Sequence, residues 1–376
     1  MIQTYHPQRL SPSRYDQYLA SGWFRGSVML YKLDMLCIDS DIHSIVNIRL
    51  NLNNFEFKSR HRKLIRKNDK QFTTIIRKAC PNPEKDALYQ NHKKRFRGFI
   101  HATLKDYLNS GRSQTVFDTH EVCVYDGDKL IAVSYFDFGK KSMASLICLY
   151  DEAYAKCSLG IYTMAKEIEL GMSREYQWYY PGYVLDDKEL FDYKLSLGNF
   201  QYYNESKRWR PLTPDTHLPT VASKYKQAMN DLLEALRGEG IESKRWVYPF
   251  FSMGYLGYWK VRFLNYPLLL EIPFGGPHDP KLVLSYDVDL NTYAVLFIIP
   301  AKEHRHLINM EISPDLQSGS QYLLELSKIH NLVCRTADIQ QIIAVLKMIS
   351  NTVPLKAGPP VKTASTAVVE GQKVLK

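Results

Sequence analysis

The sequence is poor in cysteine, in long apolar runs and in the short motifs of several enzyme classes. Its 376 residues include six cysteines and no CxxC pair, so a disulfide framework is not expected. No apolar stretch approaches the roughly 18 residues of a membrane span, and no signal peptide is recognisable. GxSxG, Walker and HExxH patterns are absent, and the histidines lack metal-ligand spacing. We therefore expect a reduced cytoplasmic protein.

Acidic side chains are scarce between positions 49 and 78, where ten Lys or Arg stand against two acids. This stretch holds most of the formal net charge of +10. Such a row would follow a phosphate backbone, and Phe55, Phe57 and Phe72 flank it where bases could stack. The alternative is a solvated charged face. The predicted phosphate-binding residues are Arg49, Lys58, Arg60, Arg62, Lys63, Arg66, Lys67 and Lys70.

Apolar patterning predicts a mixed α and β chain. Strands are expected at 44–57, 120–139 (a hairpin around 126–128), 142–151, 176–184, 246–263, 268–273, 281–288 and 292–300. Helices are expected within 16–27 (a short helix stopped by Gly22) and at 82–100, 158–173, 220–241, 323–331 and 338–350. A helix or turn that ends in a strand is expected at 191–204. The proline-rich stretch 211–219 is typical of a linker, and 354–376 has the composition of a disordered tail.

Two constellations point to chemistry. The turn at Ser158–Leu159–Gly160 opens a helix, whose first N–H groups could cradle a phosphate or a polarised carbonyl. Alternatively, the glycine only lets the chain turn. Further on, tyrosines at 179, 183 and 193 surround Asp192 and Lys194. The carboxylate could bind an ammonium or take a proton; alternatively, it caps a helix beside a surface lysine.

Taken in order, these pieces resemble the aminoacyl-tRNA–protein transferases, which are eukaryotic arginyltransferases and bacterial leucyltransferases acting on acidic N-termini. The matching stretches are LASGWFRGS (19–27), VNIRLNLNNFEFKSRHRKLIRKN (46–68), IAVSYFDFGKKSMASLICLYD (131–151), SLGIYTMAKEIE (158–169), YYPGY (179–183) and FDYK (191–194). Their order and spacing carry the resemblance, which spans roughly residues 16 to 210.

The resemblance implies an α+β fold with a GNAT-like acyltransferase core, a small N-terminal basic subdomain and an additional C-terminal α+β domain. The corresponding boundaries are 1–78 for the basic tRNA-binding subdomain, 79–210 for the aminoacyltransferase domain, 211–219 for a linker, 220–353 for the C-terminal domain and 354–376 for the tail. It further implies transfer of arginine or leucine from charged tRNA to the free N-terminal amine of a protein or peptide. No cofactor and no membrane partner are expected.

The implied roles are assigned residue by residue. Asp192 binds an ammonium, and backbone N–H groups at Ser158 and Gly160 stabilise the oxyanion or hold the terminal adenosine. The predicted substrate-binding residues are Tyr179, Tyr183, Tyr193, Lys194, Asp137 and Ser142, the last two orienting the acceptor amine. The basic run holds the acceptor stem of the tRNA.

The chain also departs from the family. The window 31–46 keeps only Cys37 of the usual N-terminal cysteine cluster, and one thiol cannot build a four-ligand centre, so no metal is expected. The segment from 213 onward matches nothing in the family. Two other functions therefore stay open, which are an N-acyltransferase that uses acyl-CoA and a non-catalytic tRNA- or RNA-binding protein.

Overall fold

A computed structural model describes residues 2–187, 189–213, 216, 220–256, 260–308, 311–312 and 321–352. The predicted tail at 354–376 and most of the predicted linker at 211–219 lie outside these ranges. Within them the chain is a mixed α and β structure, as predicted. No helix in the described ranges has both the length and the apolarity to cross a membrane.

The described residues form seven α-helices and twenty strands. The helices are α1 Pro12–Ala20, α2 Ser59–Gln71, α3 Pro83–Lys93, α4 Leu104–Asn109, α5 Leu159–Ser173, α6 Val221–Gly238 and α7 Ile339–Thr352. The first ten strands are β1 Ile2–Tyr5, β2 Phe24–Gly26, β3 Met29–Leu33, β4 Met35–Ile38, β5 Asp41–Asn51, β6 Thr73–Lys78, β7 Phe99–Ile100, β8 Asp118–Asp126, β9 Lys129–Phe138 and β10 Ser142–Tyr150. The others are β11 Trp178–Tyr180, β12 Tyr183–Leu185, β13 Phe200–Tyr203, β14 Trp209–Pro211, β15 Lys244–Val247, β16 Leu268–Ile272, β17 Lys281–Asp287, β18 Thr292–Pro300, β19 Glu311–Ile312 and β20 Ser327–Thr336.

A ten-stranded sheet forms the centre of the molecule, in the order β14-β13-β5-β11-β10-β9-β8-β6, with β4 and β12 also paired to β5. Its pairs are antiparallel except for β10 and β11, which run parallel. Helix α5 makes the crossover between these two strands. Because a parallel pair needs such a crossover, the helix lies against the sheet beside both strands.

Helices cover both faces of this sheet, because its strands alternate apolar residues between the two sides. In β9, Phe136 and Phe138 share a core with Met164 and Ile168 of α5. Their neighbour Val133 joins residues of α3 and α4 instead. Helix α1 covers the same side as α3 and α4, near the start of β10, together with the small β1-β3-β2 sheet.

Several predicted elements shift at their ends. The short helix expected within 16–27 is α1, which begins earlier, at Pro12 after a Ser11 cap. It ends before Gly22, as predicted, and the φ of +78° at Gly22 turns the chain into β2. The helix expected at 82–100 stops at Lys93. The single strand expected at 176–184 is divided into β11 and β12, because Pro181 cannot donate to a ladder and Gly182 has a φ of +90°.

The C-terminal part of the chain builds a second, five-stranded antiparallel sheet in the order β15-β16-β17-β18-β20, packed against α6 and α7. The prediction of a helix at 323–331 is wrong, because this stretch leads into β20, which pairs with β18 along most of its length. The strand predicted at 246–263 is also wrong in its middle, where residues Pro249–Tyr255 form a 3₁₀ helix. The proposed domain boundaries stay predictions.

Candidate active site

The central sheet opens between β10 and β11. The two strands pair only from Ser142 to Ala144, opposite Trp178 to Tyr180. Strand β10 then continues along β9 to Tyr150, with a bulge between Ser145 and Ile147. Strand β12 turns away and pairs with β5. The second half of β10 therefore borders a gap in the sheet, and side chains from several elements line it.

A buried carboxyl group forms the floor of this gap on the α5 side. Glu167 of α5 is fully buried and accepts hydrogen bonds from Ser134 Oγ and Tyr179 Oη, both at 2.7 Å. Burial raises the pKa of Glu167 to about 7, although the hydrogen bonds from Ser134, Tyr179 and Ser145 act in the opposite direction. Glu167 can thus hold or release a proton near neutral pH, which an ordinary glutamate cannot do.

An aromatic wall with one ammonium closes the gap from the side of the 3₁₀ helix Glu189–Leu197. Lys194 Nζ donates to Tyr183 O at 3.1 Å and lies 5.5 Å from the ring centre of Tyr183, 4.9 Å from that of Phe191 and 6.0 Å from that of Tyr193. Burial lowers the pKa of Lys194 to about 8. Within the described side chains, no carboxylate forms an ion pair with Lys194, so its charge faces the gap and the rings.

Tyr193 lies between the aromatic wall around Lys194 and the buried carboxyl group of Glu167. About half of its side chain is exposed, at 51%. Partial burial raises the pKa of Tyr193 to about 12, and the neighbouring Cys148, Tyr150 and Glu167 add to the rise. Tyr193 therefore lies against the second half of β10 while it still faces solvent, as a substrate-contacting residue must.

More tyrosines line the gap from the opposite face of the sheet. Burial raises the pKa of Tyr183, and the nearby phenols of Tyr31, Tyr107 and Tyr193 add to the rise. The Tyr107 hydroxyl lies 3.4 Å from the carbonyl oxygen of Leu146, within the bulge of β10. These phenols come from β3, α4, β12 and the 3₁₀ helix, so the gap is walled by tyrosine on both faces.

The first turn of α5 borders the same gap. Thr163 Oγ1 lies 3.2 Å from Gly160 O and 3.3 Å from Cys148 Sγ, next to Tyr193. The first helical hydrogen bond runs from Tyr162 N to Ser158 O at 3.0 Å. The N–H groups of the first turn before it, including that of Gly160, have no helical partner and can serve an anion or an oxyanion.

The prediction that glycine opens this turn needs correction. Ser158 has the left-handed backbone, with φ of +50° and ψ of +45°. Gly160 does not have a positive φ, and a Cβ there would meet no atom within 4 Å. The turn thus depends on Ser158, and Gly160 is an ordinary first-turn residue of α5.

Asp192 lies half-buried in the 3₁₀ helix between Phe191 and Tyr193. It shares the segment of Lys194, and this segment packs against α5. Asp192 therefore lies on the same segment as Lys194 and Tyr193, with which the sequence analysis grouped it. Its catalytic role stays a prediction.

The predicted basic run folds as helix α2 and the residue before it. Ile65 and Asn68 face the protein, and Asn68 Nδ2 donates to Cys157 O at 2.9 Å, at the entry to α5. The cations all lie on the exposed side, and they are Lys58, Arg60, Arg62, Lys63, Arg66, Lys67 and Lys70. Arg60 Nη2 donates to Ser196 O at 3.0 Å, so the cationic face begins beside the segment that carries Lys194.

Part of the chain is similar in sequence to known proteins. A sequence model of the family described as "Arginine-tRNA-protein transferase, C terminus" matches residues 57–204. The chain is 24% identical over 207 residues to the aspartate/glutamate leucyltransferase of Helicobacter hepaticus, a match that covers 54% of this chain and 83% of that protein. It is 32% identical over 79 residues to arginyl-tRNA–protein transferase 1 of Saccharomyces cerevisiae, covering 21% of this chain and 16% of that one.

Over these residues the chain is similar to the aminoacyl-tRNA–protein transferases. The matched range includes α2, α5, the gap between β10 and β11 and the 3₁₀ helix with Lys194. Among solved structures, the chain is similar to a C-terminal DUF2156 domain from Agrobacterium fabrum, at 13% identity and a TM-score of 0.32, covering 44% of this chain and 57% of that one.

Two residues that were expected to orient an acceptor, Asp137 and Ser142, form buried hydrogen bonds within the protein. Asp137 is fully buried and accepts hydrogen bonds from Arg25 at 2.6 Å, Thr119 at 2.7 Å and Tyr15 at 3.1 Å. Ser142 is buried and donates to Asp16. Because these bonds already occupy both side chains away from solvent, we leave them out of the proposed site.

Two other predicted contacts with RNA also differ from expectation. Arg49 lies between two indole rings, 3.5 Å from the ring centre of Trp178 and 4.3 Å from that of Trp209. It projects from β5 on the face opposite α2 and is not part of the cationic row. Phe72 is buried in a core with Val124 and Leu159, so it cannot stack on a base.

Cys37, which the resemblance places in the family's N-terminal cysteine cluster, is buried in the core of the C-terminal sheet. Burial raises the pKa of its thiol far above the ordinary value. A thiolate, the form that binds metals, is therefore strongly disfavoured at this position.

Sequence reasoning missed Glu167, Tyr31 and Tyr107. Glu167 interrupts the apolar pattern of α5 at a position that faces the core, and a charged residue at such a position is a signal that could have identified it. Tyr31 and Tyr107 carry no comparable signal, because only the packing of β3 and α4 against the sheet brings them to the gap.

Proposed function

We propose that this chain transfers an amino acid from a charged tRNA to the free N-terminal amine of a protein or peptide. One observation carries the proposal, which is that the tyrosine-walled gap and the exposed cationic face of α2 adjoin through the hydrogen bond from Arg60 to Ser196. A charged tRNA needs both features close together, because its acceptor stem presents phosphates next to the reactive ester.

We further propose that the core is of the GNAT type. Support comes from the antiparallel strands β8, β9 and β10, from the bulge in β10, and from the parallel partner β11 reached through α5. In that arrangement the gap between β10 and β11 takes the acyl donor from the side of the first turn of α5. The cationic helix α2 packs on that same side.

The reaction joins two substrates without a covalent enzyme intermediate. The amine nitrogen of the acceptor forms a bond to the ester carbonyl carbon, and the bond from that carbon to the ribose oxygen breaks. One proton moves from the amine to the departing ribose oxygen. An α-amine with a pKa near 8 is already partly neutral at pH 7, so alignment and oxyanion stabilisation supply most of the rate.

The residues of the gap have defined tasks in this scheme. The first-turn N–H groups of α5 and the phenols of Tyr183 and Tyr193 donate towards the oxyanion or the terminal ribose. Lys194, mostly protonated at pH 7, holds an anionic group, either a terminal phosphate of the tRNA or an acidic acceptor. Asp192 binds the ammonium of the donor.

Glu167 holds the side chain of Tyr179 in place by accepting its hydroxyl hydrogen bond, and its carboxyl group can store a proton during the reaction. The donor is arginine or leucine, the acceptor is a free N-terminus, and the cytoplasm is the proposed location. No cofactor besides the charged tRNA takes part in the scheme.

The function is tested by incubating the full chain with tRNAs charged with labelled arginine or leucine and with peptides that begin with Asp, Glu or Lys. Mass spectrometry should detect one added residue at the peptide N-terminus. A parallel reaction with acetyl-CoA should give no product. If only acetyl-CoA is used, the protein is an ordinary N-acyltransferase, and if charged tRNA is bound without any transfer, it is a binding protein.

A further inference from the structure

The C-terminal half of the chain lies outside the matched family range of residues 57–204. It nevertheless contacts the segment that runs from β12 into the 3₁₀ helix Glu189–Leu197 and lines the gap. Residues Asp186 and Asp187 follow β12 directly, between Tyr183 and the 3₁₀ helix with Lys194. We propose that α6 is a positioning element of the active site, which holds this segment in place through Thr220 and Lys226. The proposal rests on the proposed function for its catalytic consequence, whereas its structural consequence can be measured separately.

Asp186 joins the segment to the first turn of α6. One carboxylate oxygen accepts from Ser44 N at 2.9 Å, and the other accepts from the hydroxyl of Thr220. Thr220 is the N-cap of α6 and also caps the backbone N–H of Ser223. Ser44 in turn accepts from Ala222 N at 2.8 Å, so Asp186, β5 and the start of α6 form one closed network.

Asp187 makes a second attachment one turn further along α6. Lys226 Nζ lies 2.9 Å from Asp187 and 2.9 Å from Asp41 at the start of β5. His43 also pairs with Asp187. Although burial acts in the opposite direction, the hydrogen bonds from His43 and Lys226 lower the pKa of Asp187 to about 2. Asp187 is therefore ionised at neutral pH and remains bound to both partners.

His43, Asp186 and Asp187 place ligand atoms within 4.8 Å of one another, a spacing that would suit a cation. The ammonium of Lys226 already supplies a positive charge to this group, and both oxygens of Asp186 accept hydrogen bonds from the protein. The cluster thus joins α6 to the residues after β12 within one chain. The ammonium of Lys226 supplies the positive charge that a bound metal ion would otherwise supply.

The attachment matters because strand β12, which leads into the two aspartates, is short. Strand β12 pairs with β5 over only three residues, from Tyr183 to Leu185. Beyond the two aspartates, the segment returns to β12 through the bond from Lys194 to Tyr183 O. A shift of Asp187 would therefore move the ammonium and the phenols of the gap together.

The test compares Lys226→Met with Lys224→Met in the full chain. Lys224 lies on the same helix and pairs with exposed Glu205 at 3.1 Å, so it is a matched control. Hydrogen–deuterium exchange of residues 183–197 should be several-fold faster in the Lys226 variant and unchanged in the control. The catalytic rate constant for transfer should fall by roughly 10- to 100-fold, while the Kd for tRNA should change by much less, because the cations of α2 are untouched. Lys226→Arg should restore the rate, because arginine keeps the positive charge that pairs with Asp187 and Asp41. If Lys226 only filled space, the methionine variant would already have the wild-type rate.

Exchange and transfer rates equal to those of the wild type in Lys226→Met would overturn the proposal. Wild-type protein that transfers nothing from any charged tRNA would instead refute the proposed function, whereas the exchange experiment would still report on the attachment. Because Lys226→Met could alter folding, Thr220→Val, with Thr220→Ser as its conservative partner, provides an independent variant. Unchanged exchange and an unchanged transfer rate in Thr220→Val would also contradict the proposal.

Discussion

Replacing Glu167 with glutamine removes the buried carboxyl group from the floor of the gap while keeping nearly the same shape. The glutamine amide can still accept from Tyr179 or Ser134, but it cannot ionise. The carboxyl group of Glu167 has a pKa of about 7 because it is buried, against 4.5 for an ordinary glutamate. The stability of the wild type should therefore depend on pH in a way that the variant does not share.

The magnitude follows from the two pKa values. Their difference, at about 1.4 kcal/mol per pH unit, amounts to about 3 kcal/mol. Because the pKa is raised on folding, the unfolded chain ionises first as the pH rises, and the folded state loses stability between pH 4.5 and 7. Relative to Glu167→Gln, the wild type should lose roughly 2 to 3 kcal/mol in free energy of unfolding between pH 5 and pH 8.

Urea unfolding at these two pH values measures the effect. The matched control is Glu169→Gln, since Glu169 lies on the same helix, is partly exposed and pairs with Lys166 at 2.6 Å. The stability difference between the wild type and Glu169→Gln should change with pH by much less. A difference between the wild type and Glu167→Gln that stays constant from pH 5 to pH 8 would show that the carboxyl group is not held in its neutral form.

Three further predictions concern the other parts of the site. The first converts four cations of α2 to alanine, namely Arg60, Arg62, Lys63 and Arg66. This change should weaken tRNA binding and reduce the magnitude of the slope of log affinity against log salt concentration by up to roughly 3 to 4. An unchanged slope would show that α2 does not contact the RNA. Asp192→Ala should abolish transfer and leave the Kd for tRNA nearly unchanged; lost binding by a folded variant would contradict its catalytic role. Asp137→Asn should destabilise the fold by about 3 kcal/mol, because Arg25 loses a buried partner, while the folded fraction keeps its transfer rate; a normal melting temperature with lost transfer would reverse this assignment.

Local patterns in the sequence were enough to predict the cationic run, because its charges lie within thirteen consecutive residues with few acids among them, but its helical conformation was not predicted. The hairpin of β8 and β9 and the helix α5 were predicted for the same reason. The aromatic wall was also visible, since Tyr183, Tyr193 and Lys194 are close in the chain. In each case the feature is set by neighbouring residues and by helical or strand periodicity.

Long-range pairing explains what the sequence could not show. Asp137 was expected to orient an acceptor amine, but Arg25, 112 positions earlier, forms a buried ion pair with it. The helix predicted at 323–331 fails because pairing with β18 overrides a short apolar pattern that suits either structure. The gap itself depends on the limited register between β10 and β11, which no single stretch encodes.

The central claim is that acyl transfer takes place in the tyrosine-walled gap between β10 and β11. The most direct test is the single-turnover rate of transfer from saturating charged tRNA to an acidic N-terminal peptide, measured for the wild type, Tyr193→Ala and Tyr5→Ala. Tyr5 is a partly exposed tyrosine of the small N-terminal sheet and serves as the control. We expect a loss of about 100-fold in Tyr193→Ala and a wild-type rate in Tyr5→Ala. Equal rates in all three proteins would place the reaction elsewhere on the molecule.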